Sequence, residues 1–107
     1  MKVVPTAGYD RRVRKLLTTA ERTAAELEIA LAPLRWPLIP GTGGARKARI
    51  ARGGKGKRGG ARVVYFVMVR RDVVYLIDVY AKNVKEDLTD ADKQEVRKLT
   101  AALEAAP

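Results

Sequence analysis

Hydrophobic and polar residues follow two different periods along this chain, helical before residue 33 and strand-like after residue 45. In the first stretch, apolar residues recur at helical spacing opposite basic ones, at Tyr9, Val13, Leu16 and Leu17. The segment from Thr18 to Glu21 matches a capping box, so a second helix is predicted to start there and to end at Pro33. Its inner stripe is predicted to be Ala20, Ala24, Leu27 and Leu31.

The second stretch is typical of β-strands followed by one helix. Strands are predicted at residues 45–51, 61–69 and 73–82, and residues 2–5 have the composition of a short first strand. Residues 35–44 form a predicted loop with Trp36, Leu38 and Ile39 packed beneath it. Residues 52–60 form a long hairpin loop that holds five glycines and four cations. A cap at residues 89–92 begins the last helix, whose inner face is Val96, Leu99 and Leu103.

These elements predict an α+β fold in one domain, residues 1–107. Two N-terminal helices pack on a small antiparallel β-sheet, a meander, and a C-terminal helix follows. Strand alternation divides the third strand between two faces. The predicted core face is Tyr75, Ile77, Val79 and Ala81, and the opposite face is Asp78, Tyr80 and Lys82.

The charge of the chain points to a polyanionic partner. The net charge is +10, and residues 34–71 hold eleven of the 22 basic residues and none of the 12 acidic ones. Because this segment also contains a predicted buried strand, the charge lies on a folded scaffold. Nucleic acid is the first candidate partner and an anionic membrane the second.

The composition also limits the chemistry. The chain has no Cys and no His, which removes disulfides, thiolate metal sites and the commonest catalytic proton carrier. The acidic residues near the last helix complement its dipole, so we expect no metal site and no cofactor. The first residues lack a secretory signal, and no apolar run reaches the ~18 residues of a membrane span, so we expect a cytoplasmic protein that binds no membrane.

Lysine, arginine and tyrosine are together sufficient for metal-free RNA cleavage. That reaction needs a base for the 2'-hydroxyl, positive charge on the phosphate oxygens and a proton for the leaving 5'-oxygen. Arginine is suited to clamp the phosphate with its planar fork. Proton transfer is left to four candidates that the sequence does not separate, Lys55, Lys57, Lys82 and Tyr80.

Five short motifs occur in order between residues 40 and 89. They are Gly41-Thr42-Gly43-Gly44, Arg46-Lys47-x-Arg49, Gly54-Lys55-Gly56-Lys57-Arg58-Gly59-Gly60-x-Arg62-Val63-Val64-Tyr65, Val79-Tyr80-Ala81-Lys82-Asn83 and Asp87-Leu88-Thr89. This ordered set resembles the HigB branch of the RelE/ParE toxin superfamily. The resemblance implies a ribosome-dependent endoribonuclease that cuts mRNA and is held inactive by an antitoxin encoded beside it, usually a helix-turn-helix protein. It also implies helices packed on one face of a small antiparallel sheet.

The resemblance assigns roles to particular residues. The implied catalytic and phosphate-binding set is Lys55, Lys57, Arg62 and Lys82, with Tyr80 as a proton donor or a platform for a base. The implied contacts to RNA and the ribosome are Arg46, Lys47, Arg49, Arg52, Arg58 and Asn83. Some HigB-type toxins use a histidine, and this chain has none, so the general base stays open.

Two other functions fit the same sequence. A ParE-like inhibitor of DNA gyrase needs no catalytic cations, and a plain nucleic-acid-binding module needs only salt-dependent phosphate contacts. Neither alternative predicts cleaved transcripts.

Overall fold

The computed structural model of the protein describes residues 1–54 and 56–107, without the side chains of residues 57 and 58. Lys55 and the side chains of Lys57 and Arg58, all predicted site residues, therefore lie outside the described part. The described elements are β1 (Lys2–Pro5), α1 (Ala7–Leu16), α2 (Thr19–Leu31), β2 (Arg46–Ile50), α3 (Gly56–Gly59), β3 (Ala61–Met68), β4 (Val73–Ala81) and α4 (Asp90–Ala105).

The four strands form one sheet in the order β1-β4-β3-β2. The predicted meander is confirmed, because β2, β3 and β4 pair antiparallel in sequence. The first strand adds a feature that the prediction did not contain, since β1 runs parallel to β4 from Lys2 opposite Val73 to Pro5 opposite Leu76. The predicted hairpin loop contains the short helix α3.

Side-chain caps fix where the helices begin. The Thr6 hydroxyl accepts from the Tyr9 N–H at the start of α1 and donates to the Leu76 carbonyl of β4 at 2.9 Å. The predicted capping box of Thr18 and Glu21 is present at the start of α2. The cap at Thr89 is also confirmed, as a second capping box with Asp92.

The predicted inner stripe of α2 is wrong. The buried residues of this helix are Ala25 and Ile29, whereas Leu27 is 57% and Leu31 is 76% exposed. Polar contacts with α1 set the rotation of α2: the Glu26 carboxylate accepts from the Tyr9 hydroxyl at 2.9 Å, and Arg22 pairs with the Asp10 carboxylate at 3.1 Å. Because these contacts hold Arg22 and Glu26 against α1, the alanine and leucine stripe faces away from it.

Helices cover both faces of the sheet, which corrects the expectation of helices on one face. On one side, α1 and α2 pack on β3 and β4 through a cluster that includes Tyr9, Val13, Ile29, Tyr65 and Leu76. On the other side, here called the α4 face, a second cluster contains Val64, Phe66, Met68, Ile77 and Val96, with Leu99 and Leu103 packed against it. The predicted inner face of α4 is thereby confirmed.

A β-bulge in β4 changes the predicted division of its faces. The pairing passes from Val64 opposite Asp78 to Tyr65 opposite Leu76, so Ile77 is an extra residue in β4. Alternation therefore shifts by one position at Ile77. Ile77 and Tyr75 pack in the same cluster as Tyr80, while Val79 packs on the other side of the sheet.

The loop before β2 is tied to α4. The Thr100 hydroxyl donates to the Thr42 carbonyl at 2.8 Å, and a Cβ on Gly43 would lie 2.5 Å from the same hydroxyl. This close approach explains the glycine. Trp36 and Ile39 pack against the two clusters as predicted. Leu38 does not, since it is 57% exposed; its backbone forms a bridge with Arg46 at the edge of the sheet.

Among the described residues, no helix has both the length and the apolar character needed to cross a membrane.

Candidate functional site

Three residues form a transverse row across the sheet, here called the Arg49–Arg62–Tyr80 row. Arg49 of β2 lies opposite Arg62 of β3, and Arg62 lies opposite Tyr80 of β4. Paired residues point to the same side, and Tyr80 packs in the cluster of the α4 face. The row therefore lies on that face.

The row places two cations directly opposite each other. Arg62 is 5% exposed, and its Nη1 donates to the Ala61 carbonyl at 3.2 Å, whereas Arg49 is exposed. Like charges opposite each other in a sheet are destabilising, and burying a guanidinium adds a desolvation cost. Arg62 interacts with the Asp87 carboxylate, and the exposed Arg49 opposite it adds a positive charge that suits an anion.

Tyr80 is a buried phenol that stays protonated at neutral pH. Burial raises the pKa of Tyr80 to about 12, with the Asp87 carboxylate adding to the rise and the Arg62 cation opposing it. The ring is 7% exposed, and the hydroxyl has no hydrogen-bond partner among the described residues. A buried hydroxyl without a protein partner is uncommon and calls for an explanation.

An ion pair borders the row on the β2 side. Lys47, which lies on the same side of β2 as Arg49, donates to the Asp87 carboxylate at 2.6 Å. This contact lowers the pKa of Asp87, so the carboxylate is charged at neutral pH. The pair lies at the rim of a groove of about 340 Å³, whose other walls are Pro37, Leu38, Ile39, Pro40, Leu88 and Lys93.

A larger cleft of about 530 Å³ reaches Tyr80 from the other side, between α1 and α4. Two ion pairs lie along its walls, Arg12 with Asp78 at 2.6 Å and Lys85 with Asp92 at 2.9 Å. The Lys85 ammonium also lies 5.0 Å from the centre of the Tyr80 ring. Because three carboxylates, with Glu95 as the third, outnumber its two cations, this cleft is less suited to a polyanion than the row.

Two predicted RNA-binding residues have structural contacts elsewhere. Arg46 pairs with Tyr65, which packs on the α1 and α2 side, and donates to the Trp36 carbonyl at 2.6 Å. The Arg52 side chain donates to the Leu16 carbonyl at the end of α1 at 3.2 Å. The structure does not bring Arg46 together with the row.

Two further predicted residues, Lys82 and Asn83, follow β4 directly. The N–H of Lys82, the residue after β4, donates to the Gly60 carbonyl at 3.1 Å, and Asn83 is exposed in the connection that follows. Gly60 precedes β3, so the backbone of Lys82 adjoins the end of the β2–β3 loop.

Sequence reasoning missed Asp87 and Lys85 as neighbours of Tyr80. Asp87 belongs to one of the motifs described above, but nothing in the sequence showed that the connection between β4 and α4 folds back to Lys47. In the part of the chain that the structure describes, no three acidic side chains are grouped so that they could hold one metal ion.

Comparison with known families identifies the class of protein. Residues 1–106 match the family model described as the RelE toxin of the RelE/RelB toxin–antitoxin system. The chain therefore belongs to the RelE family of toxins, and membership implies an antitoxin as its partner.

Proposed function

We propose that this toxin is an mRNA interferase, an endoribonuclease that cuts translated mRNA on the ribosome without a metal or cofactor, and that its antitoxin is a helix-turn-helix protein. The observation that carries the proposal is the Arg49–Arg62–Tyr80 row in a chain of the RelE family. Inhibition of translation would act in the cytoplasm, where the ribosomes are.

The two arginines of the row are proposed to hold the scissile phosphate. Arg49 is exposed and meets the RNA backbone first, while Arg62 lies deeper, and the planar fork of a guanidinium suits a phosphate. Charge on the phosphate oxygens grows as the 2'-oxygen attacks phosphorus. Two guanidinium groups aimed at that charge stabilise the transition state more than the ground state.

Tyr80 is proposed to donate the proton to the leaving 5'-oxygen. Its raised pKa argues against a role as general base, and its nearly complete burial argues against a platform for stacking a base. Donation is the role that remains. Because the hydroxyl is covered in the free protein, bound RNA must displace the groups that cover it.

The general base is proposed to be a lysine. Lys82 adjoins the end of the row, and Lys55 and Lys57 belong to the loop that enters β3.

Two further features border the row. The Asp87 carboxylate is close enough to raise the pKa of Tyr80, and the Arg62 cation lowers the pKa of Asp87 in turn. The groove beside Lys47 offers apolar walls for a base next to the cut, and its rim carries Lys47 and Lys93.

The test is primer-extension mapping of mRNA 5' ends in a translating extract. We expect the wild type to produce cuts in phase with the codons and Arg62→Ala to abolish them. Arg62→Lys keeps the charge but loses the planar fork, so we expect a residual rate at least about tenfold below wild type.

Arg11→Ala is the matched control, because it removes the same charge from an exposed position on α1, away from the row. We expect it to cut within about twofold of the wild type. Intact transcripts with the wild type would contradict the proposal. A gyrase assay and a salt-dependent RNA-binding assay would then separate a ParE-like inhibitor from a plain nucleic-acid-binding module.

A further inference from the structure

The Glu21 carboxylate accepts hydrogen bonds from two different parts of the fold, the start of α2 and the β2–β3 loop. Its Oε1 accepts from the Thr18 N–H at 2.9 Å and completes the capping box of α2. Its Oε2 accepts from the Gly53 N–H at 2.7 Å, at the start of the β2–β3 loop. The two backbone N–H groups lower the pKa of Glu21, with Gly53 contributing most, so it is charged at neutral pH.

The same end of the loop has a second tether to the junction of α1 and α2. Arg52 Nε donates to the Leu16 carbonyl at 3.2 Å, so consecutive residues of the loop are bound on either side of that junction. At the far end of the loop, the Gly60 carbonyl accepts from the Lys82 N–H at 3.1 Å, and Gly60 lies too close to the Ile50 carbonyl for any side chain. Between these points, Gly53, Gly54 and Gly56 have positive φ, and a Cβ on any of them would meet nothing within 4 Å.

The loop is therefore tied at both ends. Of its described residues, Gly53, Gly54 and Gly56 border open space, and the short helix α3 contacts β2. Glycine has more backbone freedom than any other residue, so each tether removes many alternative conformations of the loop. The loop carries the basic residues of the segment 52–58 and leads directly into β3, where Arg62 lies.

We propose that Glu21 is a positioning residue, which holds the start of the β2–β3 loop against the α1–α2 junction and so limits the paths open to the basic loop that leads into β3 and Arg62. This inference rests on the proposed nuclease function for its effect on cleavage. The tether itself is independent of that function. Glu21 acts through Gly53, and its carboxylate is engaged by the backbone of Thr18 and Gly53, so it is assigned no part in the reaction.

A single-atom change separates the two contacts. Glu21→Gln retains one side-chain oxygen, and glutamine at this position of a capping box still accepts from the N-cap N–H. The amide NH₂ group that replaces the other oxygen cannot accept from Gly53. Glu21→Ala removes both acceptors and is the second variant, in case the glutamine amide turns its oxygen to Gly53 instead.

Thr18→Ala is the matched control, because it removes the hydroxyl that accepts from the Glu21 N–H but leaves the carboxylate on Gly53. Loss of this cap is expected to lower Tm by about 4–8 °C. Its cleavage rate below that temperature should stay within about twofold of the wild type.

The measurements are hydrogen exchange of the Gly53 amide by NMR and the rate of mRNA cleavage in a translating extract. We expect Gly53 to exchange at least about tenfold faster in Glu21→Ala and Glu21→Gln, and their cleavage to fall by a similar factor, while Thr18→Ala changes neither. Unchanged exchange at Gly53 in both Glu21 variants would overturn the tether, whether or not the wild type cuts RNA. Faster exchange with undiminished cleavage, or an equal loss of cleavage in Thr18→Ala, would overturn the positioning role. If the wild type cuts no RNA, the proposed function fails and the exchange data still decide the tether.

Discussion

At the scale of single residues, Tyr80 is the position where stability and function conflict most. Its ring fills part of the core on the α4 face, but its hydroxyl is buried without a hydrogen-bond partner among the described residues. A hydroxyl in this state costs free energy of folding, because the bonds to water are lost and not replaced. The cost is understandable if the hydroxyl donates to RNA.

Replacing this tyrosine with phenylalanine therefore has opposite effects on the two properties. Tyr80→Phe is expected to leave the free energy of unfolding unchanged or to raise it by up to about 1 kcal/mol, measured by urea denaturation. Cleavage in a translating extract should fall by at least about tenfold, because the proposed proton donor is gone. A variant that is clearly less stable, or that cuts as fast as the wild type, would show that Tyr80 does not have this role.

At the scale of elements, the features that depend on neighbouring residues were predicted from the sequence, and those that depend on contacts between elements were not. The capping boxes at Thr18 and Thr89 and the three meander strands are local patterns, and all are present. The rotation of α2 depends on Glu26 meeting Tyr9 across two helices. The bulge at Ile77 depends on how β3 pairs with β4, which strand alternation does not reveal.

The rotation of α2 can be checked by comparing two substitutions on one helix. Ile29→Ala should lower the free energy of unfolding by about 2–5 kcal/mol, because it opens a cavity in the core. Leu31→Ala, on the exposed stripe, should change it by less than about 0.5 kcal/mol. A larger loss of stability in Leu31→Ala than in Ile29→Ala, measured by chemical denaturation, would show that the alanine and leucine stripe is the inner face after all.

The connection between β4 and α4 is held by two ion pairs, which predict how stability depends on pH. Lys47 lowers the pKa of Asp87, and Lys85 lowers the pKa of Asp92. A carboxylate with a lowered pKa in the folded state stabilises the fold above its unfolded pKa, near 3.9, and this contribution is lost as pH falls through the lowered value. Thermal melting should therefore show the wild-type Tm falling below about pH 4.

The double variant Asp87→Asn, Asp92→Asn should be less stable than the wild type at neutral pH and lose less stability on acidification. Asparagine at position 92 can still accept from the Thr89 N–H, so the cap of α4 is kept. Asp90→Asn is the control, since Asp90 has no ion pair in the described part of the chain. If Tm fell as steeply below about pH 4 in the double variant as in the wild type, these two ion pairs would not be the cause of the loss of stability in acid.

At the scale of the whole molecule, the basic segment divides into cations that hold the fold and cations that remain for a partner. Backbone carbonyls bind Arg46, Arg52, Arg70 and Arg71, the last two at the C-terminal end of α4. Charge and composition predicted a polyanionic partner but could not tell these arginines from the exposed Arg49, because the difference lies in which carbonyls the fold brings near. The family match supplies the antitoxin as the other partner.

The chemistry of the cut ends tests the central claim most directly. A defined mRNA is translated in the presence of the toxin, and the fragment ends are identified by mass spectrometry. Attack by the 2'-hydroxyl predicts a 2',3'-cyclic phosphate on the upstream fragment and a 5'-hydroxyl on the downstream one, and neither product with Arg62→Ala. Fragments with a 5'-phosphate and a 3'-hydroxyl, or a message that stays intact with the wild type, would contradict the account.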